Sequence, residues 1–435
     1  MKFVCNLEKF EYEQFVKKNK KSHFLQSYAW GEFSKASRGL IPHYLGVKNE
    51  KNKLIATALL LQKKLPLGFS YFYSPRGFVI DFCDKDLLEY FTKEILNYTK
   101  KYKSIFLKID PDIEWKKYDY LNNEIELQSN PKEVFNNITN IGFKHLGFTK
   151  NFETMQPRYT FRIDMNQSLE EIENKFSKTT KQRIKKATTL NTKVRIGDRD
   201  DLKTFDTLMK ITENRKDFVS HDLDYYEKLF DIYNKDNKFI IFMGSVNLKN
   251  IVNIYKKEIK DYESELDSLP TENLSKNENT KKKDLIQKIE THKKLLSQYE
   301  NDLNEYGDEI TLNSHAIIEY ANKAWVIYAG NHNILTSTYS NYKTYEEHIK
   351  YCYSNGIKLY DQFGTIGDLS KDNPRIGLHE FKKKFGGDYV EFIGEFDYVT
   401  NKLMYIIFTK LVPLYRKLVR HKSKKEIKNG ISNSK

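Results

Sequence analysis

The run "LKIDPD" sets Asp110 at the end of a short apolar stretch and directly ahead of Pro111. This reads as the C-terminal end of a buried strand, where open α/β sheets present functional groups, and a carboxyl there suits acid–base or positioning chemistry. Upstream, "FYSPRGFVIDF" places Arg76 in a tight Pro-Arg-Gly turn between apolar runs. From Gly377 to Glu395 the chain reads "GLHEFKKKFGGDYVEFIGE", with Lys382, Lys383 and Lys384 between two phenylalanines. Such a run is either a solvated helix end leading into an edge strand or a set of charges aimed at a substrate. "FLQSYAWGEFSKA" starts a helix with Lys35 beyond Trp30, and "MKITENRKDFVSHDLDYYEKL" carries Arg215 and Phe218 just past another. "NKFSKTTKQRIKKA" concentrates Lys178, Lys181, Arg183, Lys185 and Lys186 on a short helix without interleaved acids. That makes it the best local candidate for phosphate contacts.

Other chemistries lack their markers. The chain has no GxxxxGK[ST], no GxGxxG after a strand, no HExxH and no GxSxG, so phosphoryl transfer, hydride transfer, zinc hydrolysis and serine-triad hydrolysis lose their usual signatures. Cys5, Cys83 and Cys352 are scattered with no CxxC, which argues against a disulfide framework or a structural zinc. No metal and no cofactor are expected. The 435 residues carry a formal charge of +14 and a pI near 9.1, which favours a polyanionic partner, nucleic acid or an anionic membrane surface. The N-terminal "MKFVCNLEKFEYEQF" lacks the apolar core of a signal peptide, and "LMYIIFTKLVPL" is too short to span a bilayer. The expectation is a soluble or peripheral protein of the reducing cytoplasm. The C-terminal helix, next to "LYRKLVRHKSKKEIKNG", reads equally as a packed final helix with a basic end or as an element lying on an anionic bilayer.

These residues need a scaffold, and the length suggests two or three units. "HYLGVKN" and "LIATALLLQ" pair around the turn "NEKNK", a third run follows at "FSYFYSPRGFVID", then a helix from about Lys85 to Lys101 and the strand "SIFLKID". Later, "HAIIEYANKAWVIYAGN" forms a hairpin turning at Asn322-Lys323. It is followed by the helical "YEEHIKYCYSNG" and the strand "IKLYDQFG". Hairpin, helix and strand ending near an aspartate (Asp110, Asp361) thus occur twice, as a divergent duplication of one α/β unit. Between them, Leu248, Val252, Tyr255, Ile259, Tyr262, Leu266 and Leu269 alternate at spacings of four and three, and the pattern resumes from Leu285 to Tyr306. This is heptad spacing on two helices that form an antiparallel hairpin, burying its seam on itself. His292 on that seam reads as a tolerated core histidine.

In the order "LQSYAWGEFSK", "YSPRGFVIDF", "LKIDPD", "MQPRYTFRID", "LMKITENRKDF", "YDQFGTIGD", "GLHEFKKKFGG" and "EFIGEFDYV", the chain resembles the FemABX family, which builds peptidoglycan interpeptide bridges with transfer-RNA-dependent aminoacyl transferases. The motifs run across nearly the whole chain, with the helical hairpin in the family's place, and "TENRKDF" and "GEFDYVTN" lean toward the FemX type, the lipid II:glycine glycyltransferases. The resemblance implies an α/β fold of two GNAT-like acyltransferase domains with an antiparallel coiled-coil arm. The first domain would cover 1–150, the second 151–247 with 309–400, the arm 248–308, and a basic tail 401–435.

It further implies an aminoacyl-tRNA donor delivering glycine, alanine or serine. The acceptor would be the side-chain amine of the stem peptide on lipid II or on its soluble precursor, UDP-MurNAc-pentapeptide, at the inner face of the plasma membrane. Lys35, Arg215 and Tyr328 match positions that contact the acceptor, and Arg76 and Phe218 are placed with them as substrate-binding. Asp110 matches an acidic position at that pocket and Glu395 a nearby acid, while Lys382 matches a lysine implicated in catalysis, directed into a cleft. The sequence around Tyr328, "VIYAGNHN", departs from the family's usual pattern. Two alternatives remain. One is an acyl-CoA-dependent N-acyltransferase, for which no glycine-rich pyrophosphate loop is evident. The other is a non-catalytic nucleic-acid-binding protein with a helical arm.

Overall fold

The computed structural model describes residues 1–216, 219–236, 238–270 and 274–411. Phe218 and all but the first part of the expected basic tail lie outside the described residues. Contacts divide the chain into one unit of Met1–Phe161, Gly364–His379 and Asp388–Lys435 and another of Arg162–Phe363 and Glu380–Gly387. The first unit takes more of the C-terminal chain than the sequence boundary gave it, because the late strand Phe396–Val399 pairs antiparallel with both Ser104–Ile109 and Lys144–His145.

The first unit's sheet runs, in spatial order, Lys2–Cys5, Ile41–Lys48, Leu54–Lys64, Ser70–Ser74, Ser104–Ile109, Phe396–Val399, Lys144–His145. The hairpin register sets Leu45 opposite Ala58, and among the described strands of this sheet only Ser70–Ser74 and Ser104–Ile109 pair in parallel. The helix Lys85–Lys100 makes that parallel crossover. Asp84 caps it by accepting from the Leu87 N–H at 3.0 Å, one of the donors a helix start otherwise leaves without a partner. Its Leu87, Leu88, Phe91 and Ile95 recur at helical spacing and bury against Leu107, Phe72 and Ile109 of the sheet.

The second unit repeats this topology. Lys193–Gly197, Phe239–Asn247, Glu309–Tyr320 and Lys323–Asn331 pair antiparallel in that order. The helix Ser340–Ser354 then crosses over to Leu359–Asp361, which pairs in parallel with Lys323–Asn331 and antiparallel with Tyr159–Asp164. The strand order is that of the first unit's sheet, with Asp361 ending its strand where Asp110 directly follows its own. The hairpin turns at Ala321-Asn322, one residue earlier than expected, and both residues have positive φ (49° and 61°). That is the geometry of a two-residue hairpin turn whose twist suits the flanking strands. Where the first unit has the short turn 49–53 between its second and third strands, the second unit carries the arm.

The arm consists of Leu248–Asp267 and Lys276–Tyr306, the latter opened by a capping box at Ser275 and Glu278. Ion pairs join Lys256 to Glu300 (2.8 Å), Glu258 to His292 (3.0 Å), Glu263 to Lys293 (2.7 Å) and Glu265 to Lys281 (2.7 Å). From Lys256–Glu300 at one end to Glu265–Lys281 at the other, numbers rise on one helix and fall on the other, so the two run antiparallel. The seam does not bury wholly on itself. Leu248, Ile251, Val252, Tyr255 and Tyr299 form one core with Leu190, Val246, Leu312 and Leu335 of the body. Tyr299 also reaches the Ser337 hydroxyl at 2.7 Å. The root of the arm is therefore part of the unit's interior, and only its outer half is self-contained.

Replacing the outer arm, Glu263–Lys288, with a short turn should leave the melting temperature within about 2 °C of the full chain. Removing Asn250–Tyr306 strips Ile251, Val252, Tyr255 and Tyr299 from the core shared with the body and should lower it by roughly 8 °C or more. Equal melting temperatures for the two deletions would show that the root contributes nothing to the core.

Candidate active site

Asp110, Arg76 and Glu395 are brought together in the first unit. The strand Ser104–Ile109 ends by delivering Asp110 to a site where it is 3% exposed. Its Oδ2 accepts from the Tyr73 hydroxyl at 2.8 Å and its Oδ1 from the Arg76 backbone N–H at 2.6 Å. Tyr73 lies on the neighbouring parallel strand, whose pairing sets it beside Lys108. The Arg76 N–H can point at the carboxylate because Arg76 is left-handed, with φ 54°, an uncommon conformation for a residue with a side chain. The turn is held from behind by Gln26. Its amide donates to the Pro75 carbonyl (2.7 Å) and the Ser74 hydroxyl (3.1 Å), while its Oε1 accepts from Leu59 N–H (2.9 Å). Gly77 follows because a Cβ there would sit 2.2 Å from Ser74 Oγ. The Arg76 guanidinium lies 4.2 Å from the Phe392 ring centroid and donates to the Pro157 carbonyl at 2.6 Å.

Burial pushes the Asp110 carboxyl up to about 7. The charge and backbone N–H of Arg76 and the Tyr73 hydroxyl oppose this rise, and the charge of Glu395 adds to it. Glu395 in turn accepts from Met155 N–H and pairs with Lys108 at 3.0 Å, and Lys108 also reaches Asp397 at 2.9 Å. Burial works against the Lys108 ammonium, yet Asp397 and Glu395 raise its pKa, so it stays charged between them. Tyr73, Gln26, Lys108 and Asp397 were not singled out from the sequence. Alternation along "LKID" does place Lys108 and Asp110 on one face of the strand, which was a readable signal.

In the second unit Lys382 is 6% exposed, not directed into an open cleft. Its Nζ donates to the carbonyl oxygens of Gln362 (2.6 Å) and Phe363, and the Gln362 amide returns a bond to the Lys382 carbonyl at 3.2 Å. Burial lowers the ammonium to about 7, and Asp361, itself paired with Arg162 at 2.9 Å, pulls it back. The reason is helical register. Phe385, three residues on, is buried in the same core, while Lys383 and Lys384 keep partial exposure. Arg215 is exposed and donates to Asn333 Oδ1 at 2.8 Å. Tyr328 is half-buried, its hydroxyl 2.9 Å from that of Tyr225, edge-on to Tyr226 and Phe205. In the first unit Lys35 is exposed in the last turn of Tyr28–Arg38.

The basic helix Lys178–Thr189 is not one charged face. Arg183 stacks on Tyr342 and Tyr339 (4.9 and 5.4 Å) and donates to the Tyr342 hydroxyl, and Lys186 sits 5.0 Å from the Tyr255 ring at the arm's root. Lys178, Lys181 and Lys185 remain exposed.

The family model of the FemAB family matches residues 7–412. The chain belongs to the FemAB family. The aminoacyltransferase FemA of Staphylococcus epidermidis is 30% identical over 95% of this chain and 100% of its own length. A lipid II:glycine glycyltransferase of the same species is 29% identical over 94% and 95%. A crystal structure of FemX superposes with a TM-score of 0.74 at 27% identity, covering 94% of this chain and 99% of that one, and the mixed α/β fold class expected from the motifs is the one found. The FemAB chain described here is an acyl-transfer enzyme, which sets aside the non-catalytic alternative.

A raised carboxyl pKa ties folding to pH. The folded protein holds a proton on Asp110 up to about pH 7, whereas an unfolded aspartate loses it near 3.9. Over that interval the native state binds the extra proton, so its stability is full below the unfolded value and falls as pH rises through 7. Asp110→Asn removes this dependence. Between pH 5 and pH 8 its stability should improve relative to the parent by about 2 kcal/mol in denaturant titrations. A constant difference across that range would contradict the assignment.

Proposed function

We propose that this FemAB enzyme transfers glycine, alanine or serine from aminoacyl-tRNA to the side-chain amine of the stem peptide on lipid II or UDP-MurNAc-pentapeptide, forming the peptidoglycan interpeptide bridge. The observation that carries the reading is the buried carboxyl of Asp110 with a pKa of about 7, in a chain matched along its length by an aminoacyltransferase and a lipid II:glycine glycyltransferase. The acceptor site is on lipid II in the name of the second relative, and the net charge of +14 suits two polyanionic substrates, tRNA and a pyrophosphate-linked acceptor.

An aminoacyl ester is already activated, so the chemistry needs positioning, proton removal and oxyanion stabilisation. The acceptor nitrogen attacks the ester carbonyl, a C–N bond forms, and the tetrahedral oxyanion collapses with loss of the tRNA ribose oxygen. The ammonium proton passes to the Asp110 carboxylate, directly or through water, and a proton returns to the leaving ribose oxygen. A base whose pKa lies near the working pH combines an ionised fraction with proton affinity, and burial behind Tyr73 and Arg76 supplies that. Arg76, Lys35, Arg215 and Tyr328 are assigned to acceptor binding, with Glu395 holding the charge balance around Asp110. Lys382 is assigned the oxyanion's counter-charge, a role that requires its ammonium to leave the Gln362 and Phe363 carbonyls. The exposed Lys178, Lys181 and Lys185 are assigned to tRNA phosphates.

Incubation with individual aminoacyl-tRNAs and lipid II analogues, read by mass spectrometry, should give a product heavier by one aminoacyl residue. Acetyl transfer from acetyl-CoA without tRNA would instead favour the acyl-CoA alternative. Lys382→Met should reduce kcat about 10²-fold with acceptor binding unchanged, and Lys384→Met should stay near the parent. If Lys384→Met carries the loss and Lys382→Met does not, the neighbouring lysine is the working one.

A further inference from the structure

Among the described residues, the last helical segment of the first unit, Lys402–Ile406 continuing through Ile407–Leu411, has two unlike faces. Tyr405 and Phe408 seat on the sheet, with ring centroids 5.4 Å (Tyr405) and 6.0 Å (Phe408) from Phe106. Phe408 also lies 5.3 Å from Tyr71, which stacks on Phe106. The opposite face leaves Leu403, Ile406 and Leu411 at 69, 48 and 53% exposure. The loop leading into the Tyr71 strand holds Leu67 out at 82% exposure, the backbone there left-handed at φ 61°. The three neighbouring segments Lys63–Tyr71, Lys100–Phe106 and Thr400–Leu411 contain seven lysines and no acidic residue. The pairing of Ser70 with Ser104 and the bonds from Thr400 and Asn401 N–H to the Ile105 carbonyl bring them together.

Large exposed apolar side chains on segments rich in lysine and free of acid fit a surface that is apolar within and anionic at its rim. A bilayer containing acidic phospholipid is such a surface, since leucines enter the acyl boundary while lysines meet headgroup phosphates. A nucleic acid backbone offers nothing for three or four protruding aliphatic side chains. Among the described residues no helix is long and apolar enough to cross a membrane, so the contact is lateral. The sequence beyond Leu411 adds eight Lys and Arg against one Glu, of a sign that reinforces the same attraction.

We propose that Leu67 together with Leu403, Ile406 and Leu411 forms a docking face for an anionic phospholipid bilayer. The same helix is fastened to the candidate site. The Tyr405 hydroxyl donates to Asp397 at 2.8 Å, and Asp397 shares Lys108 with Glu395. Docking would therefore hold the Asp110 cluster at a fixed height over the membrane. That purpose rests on the proposed lipid-linked acceptor, but the binding itself does not.

The test is sedimentation of the full chain with vesicles of phosphatidylcholine alone or with 30% phosphatidylglycerol, in the absence of donor and acceptor. The parent should partition onto the anionic vesicles. Leu67→Ser with Leu403→Ser and Ile406→Ser, all exposed and outside the site, should weaken that partition at least tenfold with melting temperature unchanged. Lys64→Gln and Lys410→Gln should each weaken it about fivefold. Turnover of a water-soluble acceptor analogue should stay at the parent rate in the triple variant, while turnover of vesicle-embedded acceptor falls. Equal vesicle binding by parent and triple variant overturns the proposal, as does loss of tRNA affinity with vesicle binding intact. Vesicle binding that behaves as expected in a protein that transfers no amino acid would remove the proposed reaction and leave the docking face standing.

Discussion

A carboxyl group buried at the end of a strand must be hydrogen-bonded or protonated, and much of the first unit is arranged around that requirement at Asp110. The parallel pairing of Ser70–Ser74 with Ser104–Ile109 sets Tyr73 within reach of one oxygen, and the left-handed Arg76 turns its N–H onto the other. That turn depends on Gln26, contributed by a separate segment that binds both the turn and the adjacent strand. Two donors are too few to hold the group fully ionised, and the carboxyl settles near neutrality. A site of this kind trades stability for a group that exchanges a proton at working pH.

The second unit solves the same problem differently. Its topologically equivalent aspartate, Asp361, is paired directly with Arg162, and the buried cation nearby is Lys382, clasped by two backbone carbonyls. One duplicated framework has thus diverged into a carboxyl that titrates near pH 7 in one copy and an ion pair with an adjoining buried lysine in the other. The hairpin that stayed short in the first copy became the root of a long arm in the second, without disturbing the strand order.

Strand pairs, crossover helices and arm were legible because each rests on a local pattern: the apolar run "LIATALLLQ", threes and fours from Leu248 to Leu269, a glycine after the helix Ser340–Ser354. The late strand Phe396–Val399 was placed in the wrong half of the chain because strand partners far apart in sequence leave no local trace. Asp110 and Arg76 could be read from strand-end and turn chemistry, and Glu395 from family position. Tyr73 and Gln26 could not, since their roles exist only once separate segments meet, and for Lys108 alternation gave the strand face but not its partners Glu395 and Asp397. Lys382 shows the converse limit. The family resemblance picked it out of three adjacent lysines, but its burial against the Gln362 and Phe363 carbonyls follows from a core no single segment encodes.

The central claim is that Asp110 is held near neutrality by its surroundings. Its carboxyl carbon can be followed directly by ¹³C NMR of aspartate-labelled protein, with Asp110→Asn assigning the resonance. The account predicts a titration midpoint at about pH 7. A midpoint at or below the ordinary aspartate value near 3.9 would mean that the carboxyl is an ordinary ionised group, and the proton-accepting role would be contradicted.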